Sequence, residues 1–458
     1  MSASLGATSL ADVHHEGLDQ LLNDLVNVYP ASPGQQLPLL GVPVIDALLE
    51  VFMQRLPGTS NETERQLYDT VPPEQIITED DEILLHCGGQ DETTAASGEP
   101  SVQEHPERFN FLSSSSAPRR KRPSPVLEIS SSLSGAGKTQ LLYYMTARAI
   151  LPRTFAGLSI GGLEAAVVWM DADDRFDVYR LRDVARGAVR QARESADDEI
   201  LDETSARYSE AELTEMLTSA LEHVHVFRPQ SSSALLATLC TLDKYLYDLS
   251  RHRSASRPLH MLVIDSATAF LWPDKLRDEV ARTEEIGRSR AEVGQKRDQN
   301  QNFHLSHLYA EIVNELKRLQ GRFGCAIVYT TTVSSGRPSA WHTNGPSGPP
   351  GPYDRPPSKT PSLPPALPAP WGTFPIFRLV VHRDTVRPFP PAMSAHDARR
   401  DAPMRQSVVR QGKFSAWVNA WGREEWPRRV IDGVSWYNGG CFSFYVRATG
   451  VEVPLPDN

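Results

Sequence analysis

Cysteine is scarce in this chain: Cys87, Cys240, Cys325 and Cys441 are four in 458 residues, and no two form a CxxC pair. That usage supports neither a disulfide framework nor a zinc knuckle, and it fits a reducing intracellular compartment. Long apolar runs are missing as well. Stretches such as Ala165 to Met170 fall far short of the roughly 20 residues a membrane helix needs, so no membrane partner is expected. The amino-terminal stretch has no basic region followed by an apolar one. Asp12, His14, His15 and Glu16 come early instead, which reads against a secretory signal. Positive charge is not in excess either, since 47 Lys and Arg face 57 Asp and Glu for a formal net charge of -10. This excludes a globally basic nucleic-acid binder and leaves room for a local basic patch.

Proline is what the chain has in surplus. Its 36 residues are about half as many again as the average frequency of roughly 5% gives. They gather in two stretches. From Pro57 to Pro125 the composition shifts to Glu, Asp, Ser, Thr, Gly and Pro, and Ser113 to Ser116 lead into Arg119-Arg120-Lys121-Arg122 between prolines. This stretch reads as disordered. Ser334 to Pro403 is again rich in proline, with a short strand expected at Leu379 to His382. Before the first stretch, Leu18 to Val28 and Val42 to Leu56 have helical apolar spacing.

Between the two stretches short apolar strands alternate with helical segments. Strands are expected at Val126 to Ile129, Ala165 to Met170, His223 to Phe227, Met261 to Ile264 and Ala326 to Tyr329. Helices are expected over Thr139 to Leu151, Arg175 to Arg193, Ser232 to Leu249 and Phe303 to Phe323, and Ser209-Glu210-Ala211-Glu212 opens another with a capping box. Such alternation predicts an α/β fold: a twisted, mostly parallel sheet flanked by helices on both faces. Near the carboxyl end Trp417, Trp421, Trp426, Trp436 and the run Phe442 to Val446 predict closing antiparallel strands.

The strongest chemical signal is Ser132-Leu133-Ser134-Gly135-Ala136-Gly137-Lys138-Thr139, with Gln140 following, between a strand and a helix. That is the context of a phosphate-binding loop. Glycines bring backbone N–H groups up to a phosphate with no Cβ in the way, and the helix dipole faces the same anion. In this reading Lys138 reaches the β- and γ-phosphates and Thr139 gives its hydroxyl to Mg²⁺. Ser132 stands where the usual pattern has glycine. Because serine adopts positive φ only at a cost, the departure is expected to weaken binding. Leu262-Val263-Ile264-Asp265-Ser266 ends an apolar strand in an acid, placing Asp265 behind Mg²⁺. A second acid cluster, Asp171-Ala172-Asp173-Asp174, either activates a water or is a solvated turn; both readings stay open.

These residues resemble a known family. Gly135 to Leu142, the longer run Tyr143 to Pro152, Asp171, Asp173, Phe176-Asp177 and Val263 to Trp272 are similar to the RecA-like recombinase paralogues of DNA repair. The resemblance covers Val126 to about Thr332, with an echo at Phe444-Tyr445-Val446 and Gly450-Val451-Glu452. Leu40 to Leu49 also resembles the segment that precedes the first core strand, which makes Pro57 to Pro125 an insertion within the core. The organisation it implies is 1–56 as the amino-terminal segment and start of the core, and 57–125 as a disordered insertion carrying the basic cluster. An ATP-binding RecA-like core follows over 126–332, then a proline-rich insertion over 333–403 and closing strands over 404–458.

The family implies an ATP- and Mg²⁺-binding subunit acting with other recombinase paralogues, the one called D among them, in homologous recombination on single-stranded or branched DNA reached through that complex. It makes Asp173 the catalytic position, where the recombinases use glutamate. A base misplaced by about 1 Å can cost roughly a hundredfold in rate. The glutamine with which the family couples nucleotide to DNA falls near Thr332. With Ser132, three positions drift together, so ATP binding with weak DNA-dependent turnover at most is expected.

DNA-facing loops are implied after the Asp265 strand and the Tyr329 strand. The first carries Arg282, Arg288, Arg290, Lys296 and Arg297, interleaved with Glu284, Glu285, Glu292 and Asp298, and suits either phosphate contacts or a solvated helix. The second has Arg337 and Arg355 as its few cations. Arg119 to Arg122 reads as a nuclear localisation signal or as a chance basic cluster. Two further readings remain: a scaffold with a vestigial nucleotide site, and a small-molecule P-loop kinase.

Overall fold

Four strand sequences are apolar enough to be buried on both faces, and all four lie at the centre of one sheet. In the computed structural model, β1 (Val126–Ser131) and β4 (Ala166–Asp171) are buried along their whole length, and β6 (Leu259–Asp265) and β7 (Ala326–Thr332) nearly so. Continuous burial is what a parallel sheet covered by helices imposes. The structure describes residues 38–53, 124–199, 208–285, 304–333, 360–384, 389 and 392–454. The expected helix at Leu18 to Val28, the basic cluster Arg119 to Arg122, and Arg288, Arg290, Lys296, Arg297, Arg337 and Arg355 lie outside them.

In chain order, α1 (Pro43–Met53) precedes β1, and α2 (Lys138–Ile150) follows it. A small hairpin, β2 (Thr154–Phe155) with β3 (Leu158–Ser159), leads to β4, α3 (Val178–Glu199) and α4 (Glu210–Leu221). Then come β5 (Val224–Phe227), α5 (Ser232–Tyr247), β6, α6 (Leu271–Glu285), α7 (Leu305–Phe323) and β7. The carboxyl part adds β8 (Phe377–Arg383), α8 (Ala395–Arg410), β9 (Lys413–Val418), α9 (Arg428–Trp436), β10 (Phe442–Arg447) and β11 (Gly450–Glu452).

The nine-stranded sheet runs β11-β10-β9-β8-β1-β7-β6-β4-β5. The strands from β8 to β5 are parallel, and β9, β10 and β11 close the sheet antiparallel. One core layer joins α1, α2 and α3 to the sheet; Leu40, Ile45, Leu48 and Leu49 of the first segment lie in it beside Leu127 and Ile129 of β1. The opposite layer is built with α5 and α7, whose Leu308, Ile312, Leu316 and Leu319 form one apolar stripe. Gly324, at φ 65°, ends α7 in the left-handed conformation that favours glycine. Among the described residues, no helix is long and apolar enough to cross a membrane.

Several elements differ from the sequence expectation, among them helix α8, which runs across the expected boundary between the proline-rich insertion and the closing strands. Helix α3 starts at Val178 rather than Arg175, because the Asp171 carboxylate accepts the backbone N–H groups of Arg175 and Phe176 at 2.9 and 3.0 Å and holds that segment in a turn. The strand at 377–383 is longer than expected and central, pairing directly with β1. A proline-rich strap leads into it. The Trp417 indole donates to the Pro361 carbonyl at 3.1 Å, and the Asn419 amide makes a reciprocal pair with the main chain of Leu363. Trp371, on the same strap, is buried against Tyr309, Tyr329 and Phe374. Of the tryptophans expected in closing strands, Trp421 and Trp426 lie outside any strand, and Trp436 ends helix α9 and is 85% exposed. The capping box is present as read, with Glu212 N–H donating to Ser209 Oγ and Ser209 N–H to Glu212.

Candidate nucleotide site

The carboxyl ends of parallel strands are where ligands sit in folds of this type, and the polar residues of this sheet collect there. β1 ends at Ser131, the loop 132–137 turns back, and α2 opens at Lys138. Gly135 and Gly137 take φ of 74° and 97°, the region where a side chain is strained. Ser132 is not among the residues with positive φ, so the expected penalty for a serine there does not arise from the backbone. Leu133, Ser134 and Gly135 form the exposed tip, whereas Ala136, Gly137 and Lys138 are buried. The N-terminus of α2 has no side-chain cap, which leaves its first N–H groups facing the loop.

Lys138 Nζ donates to Ser131 Oγ at 2.6 Å and to Thr332 Oγ1 at 3.1 Å. Burial pushes its pKa down, and the charges of Asp265 and Asp173 oppose that shift. The Thr139 hydroxyl donates to Asp265 Oδ2 at 2.8 Å, and Thr330 donates to Oδ1 at 2.5 Å. Burial pushes the Asp265 carboxyl up; the two hydroxyl donors and the Lys138 ammonium work against it. A cation, four hydroxyls and a buried carboxylate thus converge from β1, α2, β6 and β7.

The acid cluster after β4 divides by geometry. Asp171 is taken up by backbone N–H groups and by Arg228 at 3.3 Å, and Asp174 also pairs with Arg228, at 3.2 Å. Asp173 is exposed and lies within electrostatic reach of Asp265 and Lys138. Its N–H reaches the Asp265 carbonyl at 3.3 Å. Its pKa is raised by partial burial first and then by Asp265, and lowered by Arg175 and Lys138. Gln140 lies one helical turn away from the loop tip and accepts from Arg180 Nε at 2.8 Å.

Four partners escaped the reading of the sequence: Ser131, Thr330, Thr268, whose hydroxyl accepts the Thr332 N–H at 3.2 Å, and Arg180. Three successive threonines ending an apolar strand at Thr330 to Thr332 were the available signal. The donor set suits a triphosphate with a hard cation. Thr139 gives its proton to Asp265 while keeping its lone pairs free. No group of three or more His, Cys, Asp or Glu side chains is arranged for a metal among the described residues. A divalent ion here would be held by Thr139 and phosphate oxygens, with Asp265 behind.

The strand order, the glycine loop and the Lys138–Thr139–Asp265 cluster define a RecA-like α/β core. No family model matches the chain. In sequence it is related to the DNA repair protein XRCC2: 29% identical to the Arabidopsis thaliana homolog over 208 residues, covering 43% of this chain and 51% of that protein. With the Mus musculus protein of that name it shares 32% over 143 residues, 31% of this chain and 40% of that one. The DNA repair and recombination protein RadA of Halobacterium salinarum is 28% identical over 203 residues, 44% and 50% of the two chains. The chain thus spans about half the length, or less, of these curated relatives.

Proposed function

We propose that this chain is an ATP-binding recombinase paralogue, a subunit that acts with other paralogues in homologous-recombination repair and assists recombinase loading on single-stranded DNA in the nucleus. The observation that carries the proposal is the convergence of Lys138, Thr139 and Asp265 on one glycine loop at the carboxyl end of the sheet. ATP with Mg²⁺ would supply a charged, hydrolysable ligand there. Lys138 would exchange its bonds to Ser131 and Thr332 for the β- and γ-phosphates, Thr139 would meet the cation, and the uncapped start of α2 would hold the phosphates.

Turnover is proposed to be weak. Asp173 lies within electrostatic reach of Asp265 and Lys138 as the candidate base on a side chain shorter than glutamate, and Thr332 spends its hydroxyl on Lys138 at the position where the family carries glutamine. That same contact supports the second reading, a scaffold with a vestigial nucleotide site. Lys138 is already satisfied within the chain, so the site needs no hydrolysis to be stable.

The test is MgATP binding and hydrolysis by the full chain, with and without single-stranded DNA, beside Lys138→Ala. The expected result is binding that weakens about a hundredfold in the variant, the scale of charged hydrogen bonds lost together, and little turnover in either protein. DNA-stimulated turnover lost in the variant would make it an efficient ATPase. Equal, negligible binding by both proteins would overturn the nucleotide site.

A further inference from the structure

The phosphate loop rests on residues from the far end of the chain. A Cβ built on Gly137 would fall 2.7 and 2.9 Å from two ring carbons of Phe414 and 3.1 Å from Phe444. A real Cβ essentially never sits within 3.0 Å of such an atom, so the glycine is required here by a close approach as well as by its φ of 97°. The two rings are register partners on β9 and β10 and stack with centroids 5.3 Å apart and planes at 19°. The Arg383 guanidinium lies over the Phe414 ring at 5.9 Å. The floor under the loop is therefore an aromatic pair fixed by the antiparallel strands, and the pair belongs to the main core cluster.

A second tie runs from the same helix to the same strands. Arg180 donates through Nε to Gln140 Oε1 at 2.8 Å, through Nη1 to the Ala448 carbonyl at 2.9 Å and through Nη2 to the Arg447 carbonyl at 2.8 Å. One planar fork thus joins the first turn of α2 to the turn that links β10 and β11. Gly137 and Gln140 flank Lys138 and Thr139, so both ties act on the backbone that carries the candidate phosphate ligands.

We infer that Phe414, backed by Phe444, is a positioning residue for the nucleotide: docking of β9–β10 holds the phosphate loop in its ligand-accepting shape, so nucleotide affinity and docking of the carboxyl-terminal strands are coupled. The inference rests on the nucleotide reading above. A loop packed on a rigid ring pair cannot retreat without displacing it, because packed interiors transmit small shifts rather than absorb them. Coupling of this kind is reciprocal. If docked strands favour nucleotide, nucleotide must favour docked strands. The ring stack works by contact with the loop backbone; it touches no proposed ligand atom.

The reciprocity gives a test on the unaltered full chain. Amide hydrogen exchange of Lys413–Val418 and Phe442–Arg447 is measured with and without saturating MgATP, and MgATP affinity and the ligand-free unfolding midpoint are measured for wild type, Phe414→Leu and Lys138→Ala. The inference expects MgATP to slow exchange in both strands. It expects Phe414→Leu to weaken MgATP binding about tenfold, within the usual range of site–site coupling, and by more than its change in ligand-free stability accounts for. Unchanged exchange in β9 and β10 under saturating MgATP overturns it, as does wild-type affinity in Phe414→Leu. Should Phe414→Leu fail to fold, the exchange result on wild type decides. Wild type that binds while Lys138→Ala does not, with Phe414→Leu equal to wild type, removes this inference alone. Absence of binding by every protein removes the nucleotide reading and this inference with it.

Discussion

Arg378→Leu is expected to lower the unfolding free energy by about 3–5 kcal/mol, the cost of stranding one partner of a buried ion pair. Arg378 opens the central strand β8 and donates from Nε to Glu128 Oε2 at 2.8 Å; its side chain is 14% exposed and that of Glu128 4%. The other carboxylate oxygen accepts from Thr331 at 2.7 Å, and Arg378 also donates to the Gly372 carbonyl on the proline-rich strap. One guanidinium therefore joins β8, β1 and the strap. Leucine would leave the Glu128 charge facing a core with only the neutral hydroxyls of Thr331 and Tyr329, and the strap carbonyl without its Arg378 donor. Domains of ordinary size have only about 5–15 kcal/mol in total, so the variant is expected to lie near the edge of folding. The second arm is the pair Arg378→Leu with Glu128→Leu. Apolar replacement of a whole buried ion pair is often neutral or better, so the double variant should recover most of the loss in denaturant unfolding. A double variant as unstable as the single would show that the strap contact, not the stranded charge, carries the cost.

Where the fold was readable in advance, the information was local. The strand, glycine loop and helix from Val126 to Leu151 are contiguous, so period, glycine placement and Lys138-Thr139 all point to one structure. The all-apolar strands ending at Asp171 and Asp265 declared themselves in the same way, and Ser209 with Glu212 marked the start of α4 from four residues. What escaped was long-range. β8 sits beside β1 at the middle of the sheet, yet its sequence neighbourhood is dominated by prolines that pack as a strap on Trp417 and Asn419. Trp436 was grouped with strand residues because aromatic content favours strands, but Val430 and Val434 set a helical spacing whose outer face carries it. Within the site, Lys138, Thr139 and Asp265 were named from motif chemistry, and Asp173 through the family resemblance. Ser131, Thr330 and Arg180 were not, because their roles come from strands and helices brought side by side. The floor of Phe414 beneath Gly137 had no sequence signal at all, since nothing in a phenylalanine on a closing strand points to a glycine in the first loop.

The last expected result concerns acid. His225 lies on the edge strand β5 and is buried, with Nε2 against Ser254 Oγ at 2.9 Å and Nδ1 against the Tyr245 hydroxyl at 3.1 Å. His223 shares the same Ser254 hydroxyl at 2.9 Å, and the His252 ring packs at 5.1 Å from that of His225. Arg251 lies over Tyr245 at 5.6 Å, and although Glu222 acts on His223 and Asp248 on His252, the charges acting on His225 itself are those of the other two histidines. Burial first, then His252 and His223, lower the His225 pKa from 6.5 to about 4. For a base whose folded pKa is depressed, the neutral form is the one folding favours. Its contribution is complete above 6.5 and is lost as pH falls toward 4, because the unfolded chain takes up the proton first. The loss is about 3 kcal/mol at one pKa unit per 1.36 kcal/mol. His260, whose Nε2 is buried without a partner, is likewise lowered to about 4 and adds to the slope. Asp46 works the other way. Burial raises it to about 6 against the N–H groups of Leu40 and Gly41, so its contribution is present at low pH and is lost as pH rises through 6. One histidine and this aspartate nearly cancel over the same window, so the raw profile of the whole protein does not isolate His225. The difference between wild type and His225→Leu does. The variant gives up hydrogen bonds and is expected to be less stable at pH 7, but its unfolding free energy should fall by about 3 kcal/mol less between pH 6.5 and 4. Parallel profiles for the two proteins would mean that His225 is protonated in the folded state, and that the Ser254–Tyr245 pair holds the ring through an imidazolium.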